Sequence, residues 1–303
     1  MSCGAQRGFQ RSRGVTLVEL IIVILLTAIL GSLMVSFVTP MLSYSDARRR
    51  AEMTDVADTA LRRMARDLRY ALPNSVRVSA DKHYVEMLLM RTGGRYRSDT
   101  GSTGSTCDTG DGAIDHNMLV FGTANEKCFK SIGKVQNASQ ISTTTDYVVV
   151  FNLQPATSDA DAYQTGLGHG NNAKITAVDD TEAGQTRIEF SAGNNFVYES
   201  PSQRFQVIEG PVTYACDPTT TNTLTRYWKY TINSAQQTPP PASAPDGSPA
   251  LLASNVSDCA FTYSTIGQAD GLVTLSLSIT TRDYKNNPET VTLYQTVHVS
   301  NVP

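Results

Sequence analysis

Arg13-Gly14-Val15-Thr16-Leu17-Val18-Glu19-Leu20 leads into a stretch, Leu20 to Ser45, of 26 residues without a charged side chain. A helix over that stretch is about 39 Å long at 1.5 Å per residue. That exceeds the roughly 30 Å of a bilayer's hydrocarbon core. Residues 1–13 carry Arg7, Arg11 and Arg13 and no acid. This bias keeps the short N-terminal side cytoplasmic and exports the rest. Glu19 is the anomaly. A carboxylate at the edge of lipid is costly unless paired, so it asks for a partner. Three readings fit the segment: a secretory signal with a small-x-small cut after the apolar core, a plain signal anchor, and cleavage before the apolar run, at Gly14.

Beyond Pro40, which removes a helical hydrogen bond and bends the axis, the pattern changes period without ending. Met53, Ala57, Ala60, Leu61, Met64, Leu68, Ala71 and Leu72 recur at steps of three and four, one face of an amphipathic helix. Arg62, Arg63, Arg66 and Arg69 occupy the remainder, and Pro73-Asn74 stop it. One helix is therefore expected from Val15 to Leu72. Its first half lies in a membrane or filament core and its second half packs on a globular domain. Arg48, Arg49 and Arg50 just outside the apolar run read as a solvated face meeting headgroups, or as partners for acids of adjacent subunits.

After Pro73 the period becomes two. Strands are expected at Ser75–Ala80, Tyr84–Met90, Met118–Phe121, Tyr147–Leu153, Lys174–Val178, Arg187–Phe190, Phe205–Tyr214 and Leu224–Ile232. Three more follow at Cys259–Ser264, Leu272–Thr281 and Thr290–Ser300. In the penultimate strand Val273, Leu275, Leu277 and Ile279 alternate with polar residues. Asp283 to Pro288 then turns the chain back into Val291, Leu293, Gln295 and Val297 as an antiparallel pair. Thr92–Ile114, Pro155–Asn172 and the proline-rich Thr238–Pro249 read as loops. On a strand, Trp228 and Tyr230 share one face and Tyr227 the other.

The 25 basic and 28 acidic side chains give a net charge of −3, which points to no polyanion, so no nucleic-acid partner is expected. Five cysteines are present, Cys3, Cys107, Cys128, Cys216 and Cys259. If the leader is lost, four remain beyond a membrane segment, which suggests disulfides in an oxidising compartment. Four cysteines allow three pairings. Proximity in sequence favours Cys107–Cys128 and Cys216–Cys259.

The opening eight residues resemble the prepilin signal of type IV pilins and type II secretion pseudopilins. That pattern is a basic leader, a glycine at the cut, Phe or Met, then Thr-Leu-Val/Ile-Glu; Val15 stands where Phe is usual. The resemblance implies that prepilin peptidase, a membrane aspartyl enzyme, cuts after Gly14 and methylates the new amino terminus on Val15. It also gives Glu19 a partner, the new amino terminus of a neighbouring subunit, so that the ion pair sets the register of stacked helices, the best-attested use of a buried polar group. The competing view pairs Glu19 with lipid headgroups or its own terminus. A second, sparser resemblance runs through Arg49–Met53, Arg66–Asn74, Arg204–Val207, Pro211–Cys216, Leu224–Tyr227 and Asn255–Tyr263. These blocks are similar to the large minor pilins of the O type found in mannose-sensitive haemagglutinin pili.

The fold class expected is thus α+β: a long N-terminal helix, membrane-spanning in its first half, on a large antiparallel β-rich head of pilin-like form. Residues 1–14 are the leader, 15–73 the helix and 74–303 the head. The resemblance implies other pilins and minor pilins as partners through the helix, along with the peptidase, an inner-membrane assembly platform and the membrane itself. It places the head in the periplasm before assembly and on the pilus afterwards. A large head suits priming of assembly or display at a filament tip. Alternatives are a minor, J-like pseudopilin of a type II secretion system, a pilus-borne adhesin and a membrane-anchored enzyme.

Enzymatic chemistry is not legible. His83, His116, His169 and His298 are scattered, with no HExxH, no Gly-x-Ser-x-Gly elbow and no phosphate loop. No cofactor is expected. Asp108, Asp111 and Asp115 form the best candidate for calcium, which takes six to eight oxygens, but their spacing is not that of an EF-hand, and Asp-rich turns arise for backbone reasons alone.

Overall fold

The computed structural model describes residues 14–97, 118–122, 127–153, 159–164, 171–191, 196–228, 230–240, 249–267, 269–283 and 285–303, with backbone alone over 35–43. The chain is α+β. Helix α1, Leu17–Arg69, is 53 residues long and continuous through Pro40. Twelve strands follow among the described residues. Four lie in the first half of the head: β1 Arg77–Val78, β2 Tyr84–Arg95, β3 Cys128–Lys130 and β4 Tyr147–Val149. Five continue through its middle: β5 Asn172–Asp179, β6 Arg187–Phe190, β7 Arg204–Asp217, β8 Thr223–Trp228 and β9 Ala250–Ser254. The last three are β10 Val256–Ile266, β11 Asp270–Arg282 and β12 Pro288–Ser300. Every named strand pairing is antiparallel.

The eight apolar residues read from the helical period, Met53 to Leu72, are all buried, none above 7% exposed. The helix itself stops three residues earlier than expected. Tyr70 caps it, its N–H donating to the carbonyls of Asp67 and Leu68. Ala71 and Leu72 leave the helix and join the edge of β2, where the Leu72 N–H donates to the Leu88 carbonyl at 2.8 Å. Asn74 then turns at φ 60° and donates from Nδ2 to the carbonyls of Asn152 and Asn301, 3.0 Å each.

Nine strands form one sheet, ordered β1-β2-β7-β4-β5-β6-β3, with β8 attached to β7 and β9 to β8. The remaining three form a second sheet, β10-β11-β12. Strand β7 is the hub. Along one side it pairs with β2. On the other, β4 covers Gln206–Ile208 and β8 covers Val212–Asp217. The change of partner falls at Gly210-Pro211. Gly210 sits at φ 121°, which an L side chain rarely adopts, and Pro211 has no N–H to offer a ladder. The β2 register slips opposite this point, between Leu89 and Met90.

The second half of α1 lies against both sheets and shares one core with them. Met64, Leu61 and Ala57 meet Val85 and Met87 of β2, Tyr214 of β7, and Val273, Leu275 and Leu277 of β11 in the same cluster. Burying each such aliphatic side chain contributes about 1.5–3 kcal/mol. The Cys216–Cys259 disulfide links β7 of the large sheet to β10 of the small one across this core. A separate aromatic core, built on Tyr96, Phe129, Phe190, Phe196 and Phe205, fills the far end of the large sheet. There Phe129 meets Phe205 edge-on at 4.9 Å and Phe190 meets Phe196 at 5.4 Å.

Several expected boundaries shift. Arg187–Phe190 matches, and the β11–β12 pair runs in unbroken register from Asp270↔Ser300 to Arg282↔Pro288. β2 continues past Met90 to Arg95, because Gly93 and Gly94 pass close beneath Phe205. A Cβ on Gly93 would lie 2.8 Å from the Phe205 carbonyl oxygen, so the glycines that read as loop are instead the condition for close pairing. Met118–Phe121 forms no strand; Leu119 is buried there by an N–H bond to the Arg97 carbonyl. Expected strands at Ser75–Ala80 and Tyr147–Leu153 shrink to two and three residues. β8 ends at Trp228, so Tyr230 lies outside the strand, with its side chain buried. β3 and β9, too short to show a period, were not legible.

Candidate assembly interface

Thr16 starts α1. It is extended, φ −77° and ψ 149°, and its Oγ1 accepts the Glu19 N–H at 3.3 Å. Its carbonyl takes the Leu20 N–H at 3.1 Å. Thr16-Leu17-Val18-Glu19 is therefore an N-cap with an acid three residues on, the spacing of a capping box. That local signal was available in the sequence beside the lipid argument. It gives Glu19 a first task that needs no second subunit: an acid in the first turn of a helix is favoured by the N-terminal dipole by about 0.3–1 kcal/mol.

From Leu17 to Met34 the helix has a mean hydropathy of 2.6 and buries none of its residues in the head. It is long and apolar enough to cross a membrane, and a signal sequence has the same character. Its apolar side chains point in all directions. Leu20, Ile21, Ile22, Val23, Ile24 and Leu25 are consecutive and each about half exposed. A helix apolar all round is one that other apolar material must surround. Gly14 lies just before the cap. A Cβ placed there would meet nothing within 4 Å, and its φ is not in the left-handed region, so the fold makes no demand for glycine at that position.

Charge outside the apolar half is partly neutralised within the chain. Arg49 pairs with Asp46, and Arg50 pairs with Glu289 at the start of β12. Arg50 thus has a partner in its own head, which the reading of Arg48–Arg50 as a free solvated face did not include.

Two buried polar clusters join α1 and its exit to the sheet, and sequence reasoning found neither. In the first, Asp67 of α1 accepts hydrogen bonds at Oδ2 from Tyr214 Oη (2.7 Å) and Arg226 Nε (2.8 Å). Burial, with the Asp67 charge beside it, pushes the Tyr214 phenol well above its usual range. In the second, Arg77 of β1 donates to Glu86 at 2.9 Å and stacks 3.7 Å over the Tyr163 ring, while Tyr230 donates to Glu86 Oε1 at 2.9 Å and pairs with Thr213. Tyr163 Oη in turn donates to the Ser75 carbonyl at 2.8 Å. Each acid has a cation and a phenol on it. The clusters act as polar anchors of the helix–sheet joint. The signal that could have located Asp67 was its place inside the apolar stripe, between Met64 and Leu68.

Among the described residues no group of His, Cys, Asp and Glu is placed to hold a metal. Asp108, Asp111, Asp115, His116, His169 and Cys107 lie outside the described residues. Cys128 is disulfide-bonded, and its expected partner Cys107 is among the residues not described. Tyr227 and Trp228 are half-buried; Arg226 sits 5.1 Å over the Trp228 ring.

Compared with protein-family models, with curated proteins and with solved structures, the chain has no match.

Proposed function

We propose that the chain is a minor pilin that enters a type IV pilus through α1, after prepilin peptidase has cut behind Gly14 and methylated Val15. The observation that carries this reading is the exposed apolar half of α1, headed by an acid and preceded by a glycine for which the fold has no use. A conformationally idle glycine at a fixed place before the helix is explained by recognition in a peptidase site. An N-terminal carboxylate on an apolar helix is explained by a cation that arrives only with a neighbour. The head supports the same reading: it is joined to the helix by a continuous core, so a pull on the helix is a pull on the head. A large head suits priming of assembly or a place at the filament tip.

The test is the amino terminus of the protein recovered from cells that hold the peptidase. Mass spectrometry is expected to find a chain beginning at N-methylated Val15, and Gly14→Lys is expected to leave the leader attached. Glu19→Ala is expected to leave cleavage intact and to reduce the protein in sheared filaments. A mature chain beginning elsewhere, or normal incorporation of Glu19→Ala, overturns the reading. Labelled protein absent from sheared pili and copurifying with a secretion machine would assign it instead to the pseudopilins. Decoration along the whole shaft would count against a tip position.

A further inference from the structure

The outward side of α1 carries a second pattern. Arg48, Glu52, Asp55, Thr59, Arg62, Arg66 and Arg69 follow one another at alternating steps of four and three, and all are exposed. This is the 3.5-residue spacing of a helix–helix seam, here written in charges. After Arg48 come the acids Glu52 and Asp55, with Asp58 on their flank, and then the bases Arg62, Arg66 and Arg69. Among the described residues Glu52, Asp55, Arg66 and Arg69 take part in no ion pair, whereas Arg62 is bonded to Asp58 at 2.6 Å. Such segregation is unfavourable to an isolated chain of net charge −3, since interspersed charges would neutralise one another locally.

The basic end opens on a groove of about 670 Å³ between α1 and the β8–β9 edge, lined by Arg62, Arg63, Arg66 and Arg226 with Trp228. In its wall the buried Arg63 Nε has no hydrogen-bond acceptor; the nearest carboxylate oxygen, Asp67 Oδ1, is 3.5 Å away. The groove is thus short of negative charge, and the same chain holds unpaired acids two to four turns earlier.

We infer that the outward stripe of α1 docks a second copy of this chain, parallel and shifted along the helix axis by ten to eleven residues, so that the Glu52–Asp58 acids of one copy enter the arginine groove of the other. At that offset Asp55 meets Arg66, while Glu52 and Asp58 come opposite Arg62 and Arg69 and exchange the intrachain Asp58–Arg62 pair for two contacts between chains. The shift is about 16 Å at 1.5 Å per residue. Other offsets are worse. With no shift every charge opposes its like, and at fourteen residues Arg48 meets Arg62. The contact is heterologous, one end of the stripe on the other end of its neighbour. The inference rests on the proposed role in assembly for the parallel orientation, and it goes beyond that role by fixing the partner and the stagger through the head-proximal half of the helix.

The full chain in phosphatidylethanolamine–phosphatidylglycerol vesicles tests this. A benzoylphenylalanine at Thr59, between the two charge blocks, reports contact at the stripe; one at Leu26 reports packing of the apolar halves. In the unaltered chain both positions are expected to give crosslinked dimer. Arg62→Glu/Arg66→Glu alone and Glu52→Arg/Asp55→Arg alone should each lower the Thr59 dimer about tenfold, as loss of two or three exposed pairs implies. Mixing the two variants should restore it, which misfolded chains cannot do. A Thr59 yield unchanged by either variant, or not restored on mixing, overturns the stagger while a retained Leu26 dimer leaves the assembly reading in place. Absence of dimer at both positions in the unaltered chain overturns both.

Discussion

Asp67 on α1 and Arg226 on β8 meet in the interior, Oδ2 to Nε 2.8 Å, although 159 residues separate them in the chain. Both are almost fully buried, and Tyr214 closes the cluster from β7. The pair fixes which turn of the helix lies over which strand. Apolar contacts alone, being non-directional, would fix this less sharply.

Removing Asp67 leaves Arg226 charged and without its carboxylate. Asp67→Ala is expected to destabilise the head by about 3–5 kcal/mol, the usual cost of breaking a buried pair. Asp67→Leu with Arg226→Met should recover most of that loss, because two apolar groups of similar volume leave no unpaired charge. Thermal unfolding of the three proteins checks it. A double variant as unstable as the single one contradicts the account.

The disulfide between Cys216 and Cys259 closes a segment with a sequence separation of 43. In the chain-entropy view a loop of that size contributes about 4 kcal/mol, through the unfolded state. Cys216→Ser with Cys259→Ser should lower the urea midpoint of an oxidised sample, and dithiothreitol, which also opens the Cys128 bond, should lower the midpoint of the unaltered protein at least as far. Equal midpoints with and without the bridge would show that the bond constrains little.

Gly210 is the hinge of β7's change of partner, and its φ of 121° is the reason it is glycine. Gly210→Val is expected to cost about 1–3 kcal/mol of backbone strain. Gly14→Val, at a position with free space around it, should leave thermal stability where it was. The contrast separates a glycine that folding requires from one that it does not.

Asp217, at the end of β7, accepts N–H bonds from Thr220 (2.8 Å), Thr221 (3.1 Å) and Thr219 (3.2 Å). The Thr220 bond is the largest cause that holds its carboxyl down at about 2. The unfolded value is about 3.9. A group whose folded value is depressed contributes stability that is complete above the unfolded value and is lost as pH falls through the folded one. The advantage of the natural protein over Asp217→Asn should therefore be full at about pH 5 and shrink between about pH 4 and 2. Urea denaturation at both ends of that window measures it, and an advantage unchanged at low pH would refute the assignment.

What could be read before any fold was known came from local periodicity. The stripe Met53 to Leu72 named the buried face of α1 because helical side chains three and four apart share a side whatever they pack on. Val273 to Ile279 and Val291 to Val297 named the inward faces of β11 and β12 because strand side chains alternate whatever lies beneath. The apolar run after Glu19 followed from length and charge alone.

Other features depend on pairs that no local window contains. Gly93-Gly94 read as a loop and form strand, since their lack of side chains matters only against Phe205 across the ladder. Asp67, though it stands inside the apolar stripe, has no visible partner until Arg226 arrives from a strand 159 residues away. Arg62, Arg63 and Arg66 read only as the remainder of an amphipathic helix; the β8–β9 edge turns them into one wall of a groove. Sequence determined which faces are apolar and where the chain can enter lipid, because those are properties of neighbours along the chain. Tertiary structure alone decided which charges are paired inside and which stay unpaired on the outward stripe of α1, because a charge's energy is set by what stands a few ångströms away in space.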